Sequence, residues 1–215
     1  MNKVMASPVS TLPPGWSVPP EETWLPRARK PLLPPGEGNA HDVVPLVWLV
    51  AAHGGAGVST LCQWWDFVGD ATRQWPECDS YPVALVVAKA TMEGLSAADT
   101  QVRSAVAGAT SCLLLGVVVV ETLPRLPRRV SHRLTSLEAT VEYAGGHMRR
   151  IPYYAGLIEV MIADLPTWSL DEEPVEQGSR HRPRRGDVAS QVPQVVRDVG
   201  RLIAQEAIRL LRDKP

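Results

Sequence analysis

A chain of 215 residues, 45% of them apolar, is long enough to bury a single core, so the default is one domain with tails. A formal net charge of −1 excludes a global attraction to nucleic acid or to an anionic membrane. Cys62, Cys78 and Cys112 lie far apart with no C-x-x-C pair, which excludes a zinc site or a disulfide framework and predicts reduced thiols in a cytoplasmic protein.

The first 44 residues are rich in proline, which removes backbone donors and fixes φ, so they read as an extended, disordered arm. Trp16 and Trp24 stand out in it as aromatic anchors for a partner or for the chain's own domain. From Pro45 to Thr167 strand-like and helix-like segments alternate. Leu46–Ala51 is a buried strand. Ser59–Trp75 reads as one helix, with Leu61, Trp64, Trp65, Val68, Thr72 and Trp75 near one face.

Val83–Ala88 and Leu113–Val120 are further apolar strands, and Gly94–Val106 and Val130–Tyr143 are helices, the latter ended by Gly145–Gly146. His147–Pro152 is a short strand, and Tyr154–Ala163 is read as helical. A charged linker covers 168–192. Pro193–Arg212 carries Val195, Val196, Val199, Leu202, Ile203 and Leu210 at helical spacing, and a C-terminal amphipathic helix over 193–213 results. Such alternation implies βαβ units and a three-layer α/β fold with a mostly parallel sheet. No apolar leader and no run of membrane-spanning length is seen, so neither export nor insertion is expected.

The segment Val47–Thr60, VWLVAAHGGAGVST, delivers a strand into a glycine-rich turn and then a helix. In the phosphate-cradling pattern G-x-x-x-x-G-K-[ST], glycines free backbone N–H groups, the lysine neutralises phosphate and the hydroxyl holds Mg²⁺. Here Ala52 takes the first glycine's place, Gly57 keeps the second, Val58 replaces the lysine and Ser59 keeps the hydroxyl.

Gly54, Gly55, Gly57, Ser59 and Thr60 make the stretch resemble the loop of the ParA/MinD group of P-loop ATPases, with His53 where that group carries its first lysine. VALVVAKATMEGLSAADTQV, LLLGVVVVETLP and HMRRIPYY resemble later segments of the same group in order, over roughly residues 45–165. The resemblance implies a shortened P-loop NTPase fold with the nucleotide- or phosphate-binding residues Gly54, Gly55, Ala56, Gly57, Val58, Ser59 and Thr60, and with ATP or another nucleotide, and Mg²⁺, as candidate ligands. Between Trp75 and Pro82 the chain offers PECDSY where the family has two acidic strands.

Both lysines and these carboxylates being absent, no catalytic residue is assigned. The expected function is that of a degenerate, non-hydrolysing regulatory or assembly component, with a weak ATPase of DNA partitioning or complex positioning, or an adaptor with an empty loop, as alternatives.

Three residues are candidate accessories at the loop. His53 is a substitute cation when protonated. Lys89 and Glu121 sit at the carboxyl ends of strands, where ligands of open α/β sheets collect, Lys89 to restore the charge and Glu121 to position a metal. Arg125, Arg128, Arg129 and Arg133 form a basic cluster able to meet phosphate, and Arg180, Arg182, Arg184 and Arg185 form a second. Neither carries a nucleic-acid motif, so a solvated face is favoured and strong nucleic-acid binding is not expected. The histidines lack metal-ligand spacing. A protein partner is expected through the N-terminal arm or the C-terminal helix, and a homodimer is left open.

Overall fold

The computed structural model describes residues 16–27, 45–76, 83–172 and 188–213. Five parallel strands form one sheet in the order β2-β1-β3-β4-β5, with β1 at Val47–Ala51, β2 at Val68–Asp70, β3 at Val83–Lys89, β4 at Leu113–Val120 and β5 at His147–Ile151. All five residues of β1 are buried. Such strands are covered on both faces, which is why their sequences run continuously apolar.

Helices α1 (Val58–Trp64) and α4 (Gln194–Arg212) cover one face, where Leu61, Trp64, Val196 and Ile203 pack with Leu49, Leu85 and Val87. Helices α2 (Met92–Val106) and α3 (Arg128–Tyr143) cover the other, where Leu95, Val102, Leu137 and Val141 pack with Val50, Val86 and Val117. The α/β layering with a parallel sheet is thus as expected. No helix of the described residues is long and apolar enough to cross a membrane.

The expected helix from Ser59 to Trp75 is a correction. Helix α1 stops at Trp64, and the chain turns into β2, which pairs with β1 in the register Val47↔Val68 and Leu49↔Asp70. The ladder continues beyond the strand, Ala71 N–H donating to Leu49 O at 2.9 Å and Ala51 N–H to Thr72 O at 2.7 Å. Trp64, Trp65, Val68 and Trp75 are all buried, but by strand and turn geometry as well as by helix. Trp65 donates its indole N–H to Val196 O at 3.1 Å, and Trp168 N–H donates to Trp64 O at 2.8 Å. Tryptophans this large, packed between α1, α4 and the sheet, dominate that side of the core. The expected helix over Tyr154–Ala163 is instead two 3-10 turns, Ala155–Ile158 and Ile162–Asp164.

The arm also departs from expectation where it is described, because residues 16–27 lie on the domain. Leu25 is buried. Gln101 exchanges two bonds with the arm's backbone, accepting from Leu25 N–H and donating to Thr23 O, both at 3.2 Å. Arg27 donates to Ala109 O at 2.6 Å and Gly108 O at 2.7 Å, carbonyls left over just past the end of α2. Trp16 rests on Tyr143, with ring centroids 4.6 Å apart, and beneath the Arg103 guanidinium at 4.4 Å. Backbone carbonyls and a buried leucine offset the ordering cost that composition alone predicts will win.

The ends of the segment read as a linker join the core too, since Trp168, Val188 and Val192 are buried, while 173–187 lie outside the described residues. Cys112 is disulfide-bonded, so the expectation of reduced thiols holds only for Cys62. Cys78 and the second arginine run lie outside the described residues.

Candidate functional site

Parallel strands all point their carboxyl ends to one edge, and three features lie toward that edge on the α1 face. The first is the turn between β1 and α1. Gly55 has φ +71° and Gly57 φ +103°, left-handed conformations that a side chain would strain, and Gly57 caps α1. The first bond at this end of the helix runs from Leu61 N–H to Gly57 O at 3.1 Å. The N–H groups of Val58, Ser59 and Thr60 therefore precede the helical ladder, and those of Gly54 to Gly57 enter no turn bond among the described residues. Gly54, Gly55 and Ser59 are exposed. Val58 is 5% exposed and packs in the core with Leu61, so at the lysine's position only the backbone faces outward. Ala56 is likewise buried and offers its N–H alone.

The second feature is Lys89. Alternation along β3 puts Val83, Leu85 and Val87 on the α1 face and carries Lys89 to the same face at the strand's end. A Cβ built on Gly55 would lie 3.7 Å from Lys89 Nζ, so the ammonium stands directly over the glycine loop. Lys89 is thus brought to the loop.

The third is Asp70, which the sequence reading misses. Two residues beyond Val68, it ends β2 on the α1 face, and its Oδ1 accepts Thr72 N–H at 2.6 Å. Its charge reaches α1. The Cys62 thiol is pushed up to about 12, by burial first and by the Asp70 carboxylate second. The signal for Asp70 was the pair Gly69-Asp70 closing an aromatic and valine segment, which helical spacing conceals.

His53 and Glu121 each meet a partner from another strand. His53 Nε2 accepts Lys89 N–H at 3.1 Å, and Nδ1 lies 2.9 Å from Gly54 O. One tautomer satisfies both contacts, a hydrogen on Nδ1 donating to the carbonyl and a bare Nε2 accepting. The ring thus bridges the loop and β3. Glu121 is bound by the Arg150 guanidinium through both Nε, at 2.9 Å, and a terminal nitrogen. Following Val117 and Val119, it belongs to the α3 face, away from Lys89.

Arg125, Arg128 and Arg129 lie exposed at and before the start of α3, and Arg133 is partly buried against Asp99. No group of three or more metal-ligating side chains occurs among the described residues. Comparison with protein-family models, with curated proteins and with solved structures gives no match to the chain.

Proposed function

We propose that the loop Gly54–Thr60 holds a phosphate-bearing ligand, a nucleotide on the strength of the ParA/MinD resemblance, and that the chain binds it without hydrolysing it. In this reading it is a degenerate, shortened P-loop protein acting as a cytoplasmic regulatory or assembly component. The observation that carries the proposal is the Lys89 ammonium above Gly55, a cation supplied from β3 where the loop itself has Val58. Free N–H groups in a turn of positive-φ glycines form a concave donor set for an anion, and a lysine at its rim adds the charge that neutral donors lack.

Binding is easier to support than turnover. Phosphoryl transfer needs charge stabilisation on the transferred group and a positioned water, and Lys89 alone answers to the first. Asp70, on the same face at the end of the neighbouring strand, favours a second reading as a weak ATPase. Partner contacts are assigned to surfaces that internal packing leaves free, such as exposed Val195 and Leu202 on α4.

Calorimetric titration of ATP, ADP, GTP and GDP with and without Mg²⁺, beside a phosphate-release assay, tests this. The proposal expects saturable binding that Lys89→Ala weakens, with no magnesium-dependent release. Release that Asp70→Ala abolishes would establish the weak ATPase, and no binding at all would leave a structural adaptor with an empty loop.

A further inference from the structure

We propose a second anion site, for a compact oligophosphate, in the cavity between the first turns of α2 and α3. The cavity measures about 460 Å³ and is lined by Met92, Arg128, Arg129, His132, Arg133 and Ser136. That size suits a small molecule. Its walls are α2 and α3, which cover the sheet face opposite α1.

Two of the three arginines at this cavity, Arg128 and Arg129, have no carboxylate partner among the described residues, while Arg133 pairs with Asp99. Helix α3 starts at Pro127 with no side-chain cap and no acidic residue in its first turn, and puts Arg128 and Arg129 where the helix dipole already favours anions. Among the described residues neither arginine pairs with a carboxylate. Arg128 Nε instead faces His132 Nε2 at 3.4 Å. Asp99, which Arg133 reaches, already accepts Arg103 and Arg133 on Oδ2, at 3.0 and 3.1 Å, and the Thr140 hydroxyl on Oδ1 at 2.8 Å. Arg133 Nε is buried with no partner among the described residues. Two exposed guanidinium groups beside the uncapped start of a helix offer donors that an anion would complete.

The shape of the charge selects the class of ligand. Along α3 the basic residues stop at Arg133, and Glu138 and Glu142 follow, so no basic track continues along this helix from the cavity. A nucleic-acid backbone needs such a track, repeating its charge along many contacts. An oligophosphate concentrates its charge within one cavity, where planar guanidinium forks match it. Exposed Met92 and the arginine stems form an apolar floor beneath it.

The test uses the full chain labelled with ¹³C in its methionine methyl groups, Met92 being assigned through Met92→Leu, and titrates tripolyphosphate. The Met92 resonance should shift saturably. Arg128→Ala combined with Arg129→Ala should weaken the response by about tenfold or more, the worth of a lost charged hydrogen bond, while Lys89→Ala leaves it unchanged. Alanine at exposed helix positions favours the helix, so this variant keeps the fold, with helical circular dichroism as the control. The proposal is overturned by an unmoved Met92 signal, by equal affinity in the folded double variant, or by a DNA or RNA oligonucleotide that displaces tripolyphosphate at physiological ionic strength.

Discussion

The imidazole of His53 accepts the backbone N–H of Lys89 at 3.1 Å, tying the glycine loop to the strand that supplies its cation. The other ring nitrogen holds Gly54 O at 2.9 Å, so one side chain sets both the height of the loop and the start of the Lys89 stem. Replacing it with alanine leaves Lys89 N–H without this acceptor. His53→Ala should cost about 1–2 kcal/mol in urea denaturation and weaken ligand binding at the loop. Unaltered stability and affinity would show that the clamp is incidental.

Gly94 marks how closely α2 approaches this clamp. A Cβ there would lie 2.4 Å from Lys89 O and 2.8 Å from His53 Nε2, contacts that only a shift of backbone relieves. Gly94→Ala should therefore destabilise by roughly 1–3 kcal/mol, although alanine is the better helix former. A thermal melt distinguishes the two effects, since propensity alone predicts a higher midpoint.

The arm gives a prediction of opposite sense to its composition. Truncation before Val47 should lower the melting temperature, because it removes buried Leu25 and the two Arg27 bonds to Gly108 and Ala109 carbonyls. The loss should be roughly 2 kcal/mol or more. An unchanged melting temperature would mean that the arm contributes nothing to the fold.

Cys62 offers a test of pH dependence. Burial and the Asp70 charge raise its folded value from the ordinary 9.0 to about 12, so the folded state favours the neutral thiol. The stability this contributes is fully present below about pH 9 and is lost as pH rises toward 12. Asp70→Asn should narrow that window by removing the smaller of the two causes. In native protein at pH 8, Cys62 should resist alkylation until denaturant is added, as peptide mass mapping would report.

Much of the architecture was legible because parallel strands buried on both faces are continuous apolar runs, and Leu113–Val120 matches β4 residue for residue. The glycine loop was legible for the same reason, its strand being plain and its glycines punctuating the turn. Asp70 was hidden. Trp64, Trp65, Val68, Thr72 and Trp75 satisfy a helical period, but β2 is three residues long, too short for any period to show. The docking of residues 16–27 was hidden differently, because Gln101 and the carbonyls that Arg27 meets lie more than seventy residues away in sequence. His53 lies at the loop's edge and Glu121 follows Val119 onto the α3 face, and the partners of the two, Lys89 N–H and Arg150, come from other strands.

The most direct test of phosphate binding at the loop is to follow the ¹⁵N–¹H resonances of residues 54–60 while ATP, ADP and tripolyphosphate are added to the wild type and to Lys89→Ala. The account predicts saturable shifts at these amides in the wild type, strongly weakened in the variant, because the N–H groups take the phosphate and the ammonium holds it there. Amides 54–60 that stay in place at saturating ligand, or that respond identically without Lys89, would contradict it.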